Sequence, residues 1–122
     1  ELDSSYAAVV DHEIRPAVLA FSDRRIREAE ARVYNYVFTF ESSLLGGQLT
    51  GHNGDLHFMF HNALYMEAMY KKDVTARLQD DMAGAWASFA KTGSPNGEKL
   101  PVWETYTEEK KACMISTLKS QI

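Results

Sequence analysis

Val33-Tyr34-Asn35-Tyr36-Val37-Phe38-Thr39-Phe40, entered through Arg32, is β-branched and aromatic almost throughout, and its side chains sort into two sets with a period of two. That composition and period describe a well-packed strand. Tyr34, Tyr36, Phe38 and Phe40 form an aromatic face, while Val33, Asn35, Val37 and Thr39 form a narrower one that fits under a helix. A strand covered on both sides belongs to an α/β sheet, and α/β is the fold class this reading predicts.

Upstream of the strand the apolar period is helical. Ser4 to Val10 is short-range apolar, Asp11 is placed to cap the next helix, and Val18, Leu19, Phe21 and Ile26 are spaced for one buried face. Pro16 marks a first turn or a kink. Asp23 to Glu30 mixes both charge signs at helical spacing, the pattern of a solvated surface. Downstream, Glu41 to Asp55 contains Gly46-Gly47, Gly51 and Gly54 and almost no periodicity, and long glycine-rich loops tend to carry function. Leu56 to Met69 reads as one or two short helices. Val74, Leu78, Met82, Trp86 and Phe89 then share one helical stripe, with Asp73 as N-cap and Gly93 as stop. Beyond the turn composition of Gly93-Ser94-Pro95-Asn96-Gly97, Ala112 to Leu118 alternates as a short closing strand.

Thirteen Lys and Arg against 17 Asp and Glu leave a formal charge of −4, so the chain lacks the basic footprint that nucleic-acid phosphates demand. Hydrophobic residues at 45% and charged residues at 25% argue against disorder, and residues 1–122 read as a single unit, one domain or one piece of a larger one. No apolar run approaches the roughly 20 residues of a membrane span. One cysteine, Cys113, cannot close an internal disulfide, which favours a reducing, cytoplasmic compartment and excludes a multi-cysteine zinc finger. Within its strand Cys113 reads as a small hydrophobe. Opening on Glu1-Leu2-Asp3, with neither Met nor a basic-then-apolar leader, the chain has the expected look of a fragment or processed product.

Four histidines are the candidates for chemistry near neutral pH. His57 and His61 have the i, i+4 spacing of two metal ligands on a helix. However, Phe58 stands where a zincin places its Glu, and no third ligand occurs at a recognisable spacing. No metal or other cofactor is therefore expected, and the two rings read as half-buried and satisfied by backbone. His12, beside Asp11 and Glu13, reads as surface. His52 differs: in Thr50-Gly51-His52-Asn53-Gly54-Asp55-Leu56 it ends the glycine-rich loop just before an apolar helix, where a loop can present an imidazole at a cleft. Asn-Gly and Asp also favour turns for their own sake, so spacing alone leaves both readings open, and Asp55 reads first as a helix N-cap. Nucleophiles are absent by motif. There is no Gly-x-Ser-x-Gly elbow, and Gly46-Gly47 has neither the spacing nor the helix of a phosphate loop.

The order of three segments resembles the C-terminal part of the type-B carboxylesterases, the cholinesterase-like branch of the α/β-hydrolases that includes the para-nitrobenzyl esterases. Arg32-Val33-Tyr34-Asn35-Tyr36-Val37-Phe38 is similar to that family's Val-Tyr-x-Tyr-x-Phe strand. His52-Asn53-Gly54-Asp55-Leu56-His57-Phe58-Met59-Phe60 is similar to its His-Gly-x-Glu-Leu-x-Phe-x-Phe segment. The run from Trp86 to Asn96, with Leu100 to Tyr106, is similar to its Trp-x-x-Phe-Ala-x-Thr-Gly-x-Pro-Asn and Trp-Pro-x-Tyr signatures. The chain departs from the pattern at Asn53 for a small residue, Asp55 for Glu and Glu104 for Pro.

The resemblance implies late sheet strands with flanking helices, helix-rich as a fragment, and makes His52 the catalytic histidine of a Ser-acid-His triad. It also implies that the nucleophile, the oxyanion-hole glycines and the acid lie in preceding segments, so the isolated chain is expected to be inactive. The partners implied are a small-molecule ester substrate in the intact enzyme and the remainder of the esterase chain, with no nucleic acid and no membrane. A homo-oligomer of the fragment is a further expectation, because an unpaired aromatic strand edge tends to pair with another copy. Two rivals stand beside this reading: a non-catalytic adhesion or interaction member of the same fold, and a self-contained helical binding module. Retention of His52 and the scarcity of cysteine weigh against the first.

Overall fold

A computed structural model describes residues 8–29, 31–42, 50, 52–97 and 100–116. A π-helical turn, Val10–Ile14, leads into helix α1, Arg15–Ala29, followed by strand β1, Asn35–Phe38, and the short helix α2, Leu56–Met59. Two 3-10 turns, Ala63–Tyr65 and Glu67–Met69, precede the long helix α3, Thr75–Thr92, and strand β2, Cys113–Ser116, comes after it. β1 and β2 pair in a two-stranded sheet. Contacts divide the chain into two compact units, residues 1–35 with 104–113 and residues 36–103 with 114–122. No helix among the described residues is long and apolar enough to cross a membrane.

In the first unit Pro16 occupies the opening turn of α1, directly after the π-turn. Proline has no N–H to donate, and its ring crowds the carbonyl four residues back, so a wide turn just before it suits the geometry. Asp11 lies inside that turn rather than ahead of the helix as a cap. The expected buried face is corrected: Val18 and Phe21 are exposed, Leu19 and Ile26 only half-buried, and Ser22 is the residue that α1 buries. The Ser22 hydroxyl donates to the Val18 carbonyl at 2.9 Å and meets the Asn35 amide at 3.1 Å, so its burial leaves no orphaned polar group. Buried Tyr106 donates its hydroxyl to Asp23 at 2.7 Å and its N–H to the Val33 carbonyl at 2.8 Å. That hydroxyl, helped by the Lys111 ammonium and opposed by partial burial, holds the Asp23 carboxyl below its ordinary range. Charges elsewhere on α1 are solvated as expected, with Arg24 and Glu28 paired at 2.8 Å on the surface.

The second unit holds the core of Phe40, Phe58, Ala63, Leu78 and Met82, with Tyr36, Phe38, Trp86 and others packed against it. Regular strand pairing covers Asn35–Phe38, less than the whole 33–40 run, yet the aromatic alternation holds: Phe38 and Phe40 both meet Phe58, at 5.2 and 4.9 Å between ring centroids. The closing strand forms at Cys113–Ser116, and residues 117–118 of its expected span lie outside the described residues.

The stripe on α3 buries Leu78 and Met82 and half-buries Trp86, while Phe89 emerges at the surface. Asp73 is not the N-cap. It takes a left-handed φ of 61°, and Val74 holds the cap position. The start is organised instead by buried Thr75, whose hydroxyl accepts from the Lys71 N–H at 2.7 Å and donates to the Met69 carbonyl at 2.5 Å. Gly93 does stop the helix, at φ 73° with its N–H on the Phe89 carbonyl at 2.8 Å. Just beyond, the Asn96 side chain accepts from the Trp103 N–H at 2.6 Å and donates to the Trp103 carbonyl at 3.0 Å.

Candidate active site

The segment carrying His52 is tied to the aromatic strand on both sides. Before it, Thr50 donates both its N–H (2.9 Å) and its hydroxyl (2.7 Å) to the carbonyl of Phe40, two residues past the end of β1. Residues 43–49 and 51 of that loop lie outside the described residues. After it, the Tyr36 hydroxyl donates to the Asp55 carboxylate. Between the two ties His52 is exposed, and its ring makes no hydrogen bond among the described residues.

Local backbone chemistry explains the turn. Asn53 has φ 65°, a left-handed conformation that asparagine tolerates better than most residues bearing a Cβ. Gly54 is buried, and the Leu56 N–H returns to the Asn53 carbonyl at 3.2 Å. Asp55 occupies the N-cap position of α2, but its side chain makes no cap bond. The capping role read from sequence is thereby corrected: the carboxylate reaches across 19 positions to Tyr36 instead. Sequence reasoning missed this pair. Its one visible signal was an acid at the helix start facing a tyrosine on the aromatic strand.

Tyr36 is itself closely held, with Trp86 edge-on at 5.0 Å and Trp103 at 5.9 Å between ring centroids. Partial burial, then the Asp55 carboxylate, push its phenol far above the usual tyrosine range, so it remains a donor at any working pH.

The other histidines lie in different settings. α2 ends at Met59, and His61 has a left-handed φ of 57°, so His57 and His61 do not share a helical face. His61 is exposed and pairs through Nε2 with Asp80 Oδ1 at 2.6 Å, which corrects the expectation of a half-buried ring satisfied by backbone. Among the described residues no group of three or more His, Cys, Asp or Glu is placed to hold a metal ion. His12 is exposed. A side-chain pair this exposed contributes little, so His61→Ala is expected to lower stability by no more than about 1 kcal/mol, checked by urea unfolding of the full-length protein. A larger loss would mean that the His61–Asp80 pair braces the second unit.

Residues 3–122 match the profile of the carboxylesterase family, and the chain belongs to that family. It is 32% identical over 111 residues to carboxylesterase 1C of Mus musculus and 31% identical over 110 residues to carboxylesterase 1C of Rattus norvegicus, in each case across 87% of this chain. The chain spans about a fifth of the length of these relatives, 19% and 20%. Among solved structures, a PNB esterase superposes with a TM-score of 0.77 and 31% identity, covering 96% of this chain and 24% of the other. An esterase from Clostridium hathewayi, described as able to hydrolyze aliphatic aromatic polyesters, gives 0.76 and 30%, covering 83% and 20%.

Proposed function

We propose that these residues are the C-terminal segment of a carboxylic-ester hydrolase of the α/β-hydrolase fold, in which His52 is the general base and acid of the catalytic triad. The observation that carries this reading is an exposed imidazole on a turn tied to the aromatic strand at both ends, within a family of carboxylesterases. In the intact enzyme His52 takes the proton from a serine hydroxyl as it attacks the ester carbonyl, then returns it to the departing alcohol. An acid from a preceding segment holds the imidazole tautomer, and backbone donors there stabilise the oxyanion. The substrate is a small-molecule ester.

A full-length protein containing these residues is expected to hydrolyse a chromogenic short-chain ester, whereas the purified 122-residue chain is not, because an imidazole without nucleophile or oxyanion hole provides almost none of the rate enhancement. Turnover by the isolated chain that survives repurification and vanishes on changing a residue within it would overturn the reading.

The isolated chain is also expected to self-associate. Phe60, Tyr65 and Val102 are 74%, 88% and 77% exposed, and β1 pairs only with β2 among the described residues. Light scattering showing a strict monomer at high concentration would favour a self-sufficient module instead.

A further inference from the structure

We propose that Tyr36 is a positioning residue for His52, acting through the hydrogen bond that its hydroxyl donates to the Asp55 carboxylate. The inference rests on the reading of His52 as the general base and adds to it the device that holds the imidazole in place.

An acid at the N-cap position ordinarily accepts from the first free N–H groups of its own helix. Asp55 makes no such bond and gives its carboxylate to a strand residue distant in sequence. Without that tie α2 would be joined to the aromatic segment 36–40 chiefly by the apolar packing of Phe58 against Phe38 and Phe40, which fixes the distance between the elements better than the aim of the turn ahead of them. The Tyr36 ring is confined between Trp86 and Trp103, so the hydroxyl is a stationary donor. Thr50 secures the preceding side of the turn on the Phe40 carbonyl, two bonds against the other side's one. His52 lies between these anchors on a turn that has a left-handed Asn53, and its ring makes no hydrogen bond among the described residues to hold it. Its aim is therefore set by its neighbours, and Tyr36–Asp55 is the tie on the helix side.

The test uses the full-length enzyme and three variants. Tyr36→Phe keeps the ring between the two tryptophans and removes only the donor. Asp55→Ala removes the acceptor, and Asp55→Glu keeps a carboxylate. Misplacing a catalytic group by a fraction of its reach costs roughly 10- to 100-fold in rate, so Tyr36→Phe and Asp55→Ala are each expected to lower kcat by about that factor with KM nearly unchanged. The double variant should be no worse than either alone, and Asp55→Glu should recover most of the loss. Amide hydrogen exchange across residues 52–56 should quicken in Tyr36→Phe, a readout independent of turnover. Unchanged kcat and unchanged exchange in Tyr36→Phe would overturn the proposal, as would strictly additive losses in the double variant. His52→Ala separates the two readings: if it abolishes turnover while Tyr36→Phe and Asp55→Ala leave kcat unchanged, the positioning role alone fails. If His52→Ala is active, the assignment of the base itself fails.

Discussion

Replacing His52 by alanine in the full-length parent is expected to lower turnover by roughly 10⁴-fold or more, the loss incurred when a triad histidine is removed and the serine hydroxyl has no acceptor for its proton. Steady-state kinetics on a short-chain chromogenic ester reads this directly. Folding should be little changed because the ring is exposed and makes no hydrogen bond among the described residues, and the unfolding midpoint checks that. His57→Ala provides the contrast: its ring is half-buried on α2 and is expected to affect stability by about 1 kcal/mol while leaving chemistry nearly intact. Near-normal turnover in His52→Ala together with abolished turnover in His57→Ala would move the catalytic assignment to the second histidine of the segment.

The second large effect is expected in the core. Phe58 is 0% exposed and meets the rings of both Phe38 and Phe40, so Phe58→Ala opens a cavity the size of a phenyl ring in the core of the second unit. A loss of about 3–5 kcal/mol is expected in urea unfolding of the full-length protein. Phe58→Leu, which fills most of the volume, should cost about 1.5 kcal/mol or less. A Phe58→Ala loss below about 1 kcal/mol would mean that the site collapses freely and that Phe58 is not the link between strand and helix.

How far the sequence reveals each element depends on the range over which its signal acts. The aromatic alternation of Tyr36, Phe38 and Phe40 and the stripe of Leu78 and Met82 are imposed by backbone periods of about 2 and 3.6, so composition alone reveals them. Gly93 was legible for a similar reason, since a left-handed helix stop favours glycine over every other residue. The same periodicity misled at α1. It states which residues share a face and says nothing of what covers that face, and Val18 and Phe21 stand 47% and 64% exposed. Two capping assignments failed through competition. Asp73 and Asp55 both have the side chain a cap requires, but Thr75 organises one helix start and Tyr36 takes the carboxylate of the other. Both outcomes depend on groups brought close by tertiary folding, which no local window contains. At the candidate site the glycine-flanked His52 was visible in the sequence, whereas the ties that frame it, Thr50 to Phe40 and Asp55 to Tyr36, were not.

The clasp between Asn96 and Trp103 bears on how this part of the chain tolerates change. A primary amide carries a carbonyl and N–H donors in nearly the arrangement of a peptide unit, and Asn96 uses both on a single residue, as a neighbouring strand would. Both main-chain groups of Trp103 are therefore held directly by Asn96. Because the entropy of closing a loop grows only logarithmically, doubling the length of that segment costs about 0.6 kcal/mol. Natural drift or an engineered peptide tag at this neck should therefore be absorbed without disturbing the tryptophan, provided the asparagine is kept. Exchanging Asn96 for aspartate keeps the acceptor but removes the donor, and would turn the same neck into a place where added length is poorly tolerated.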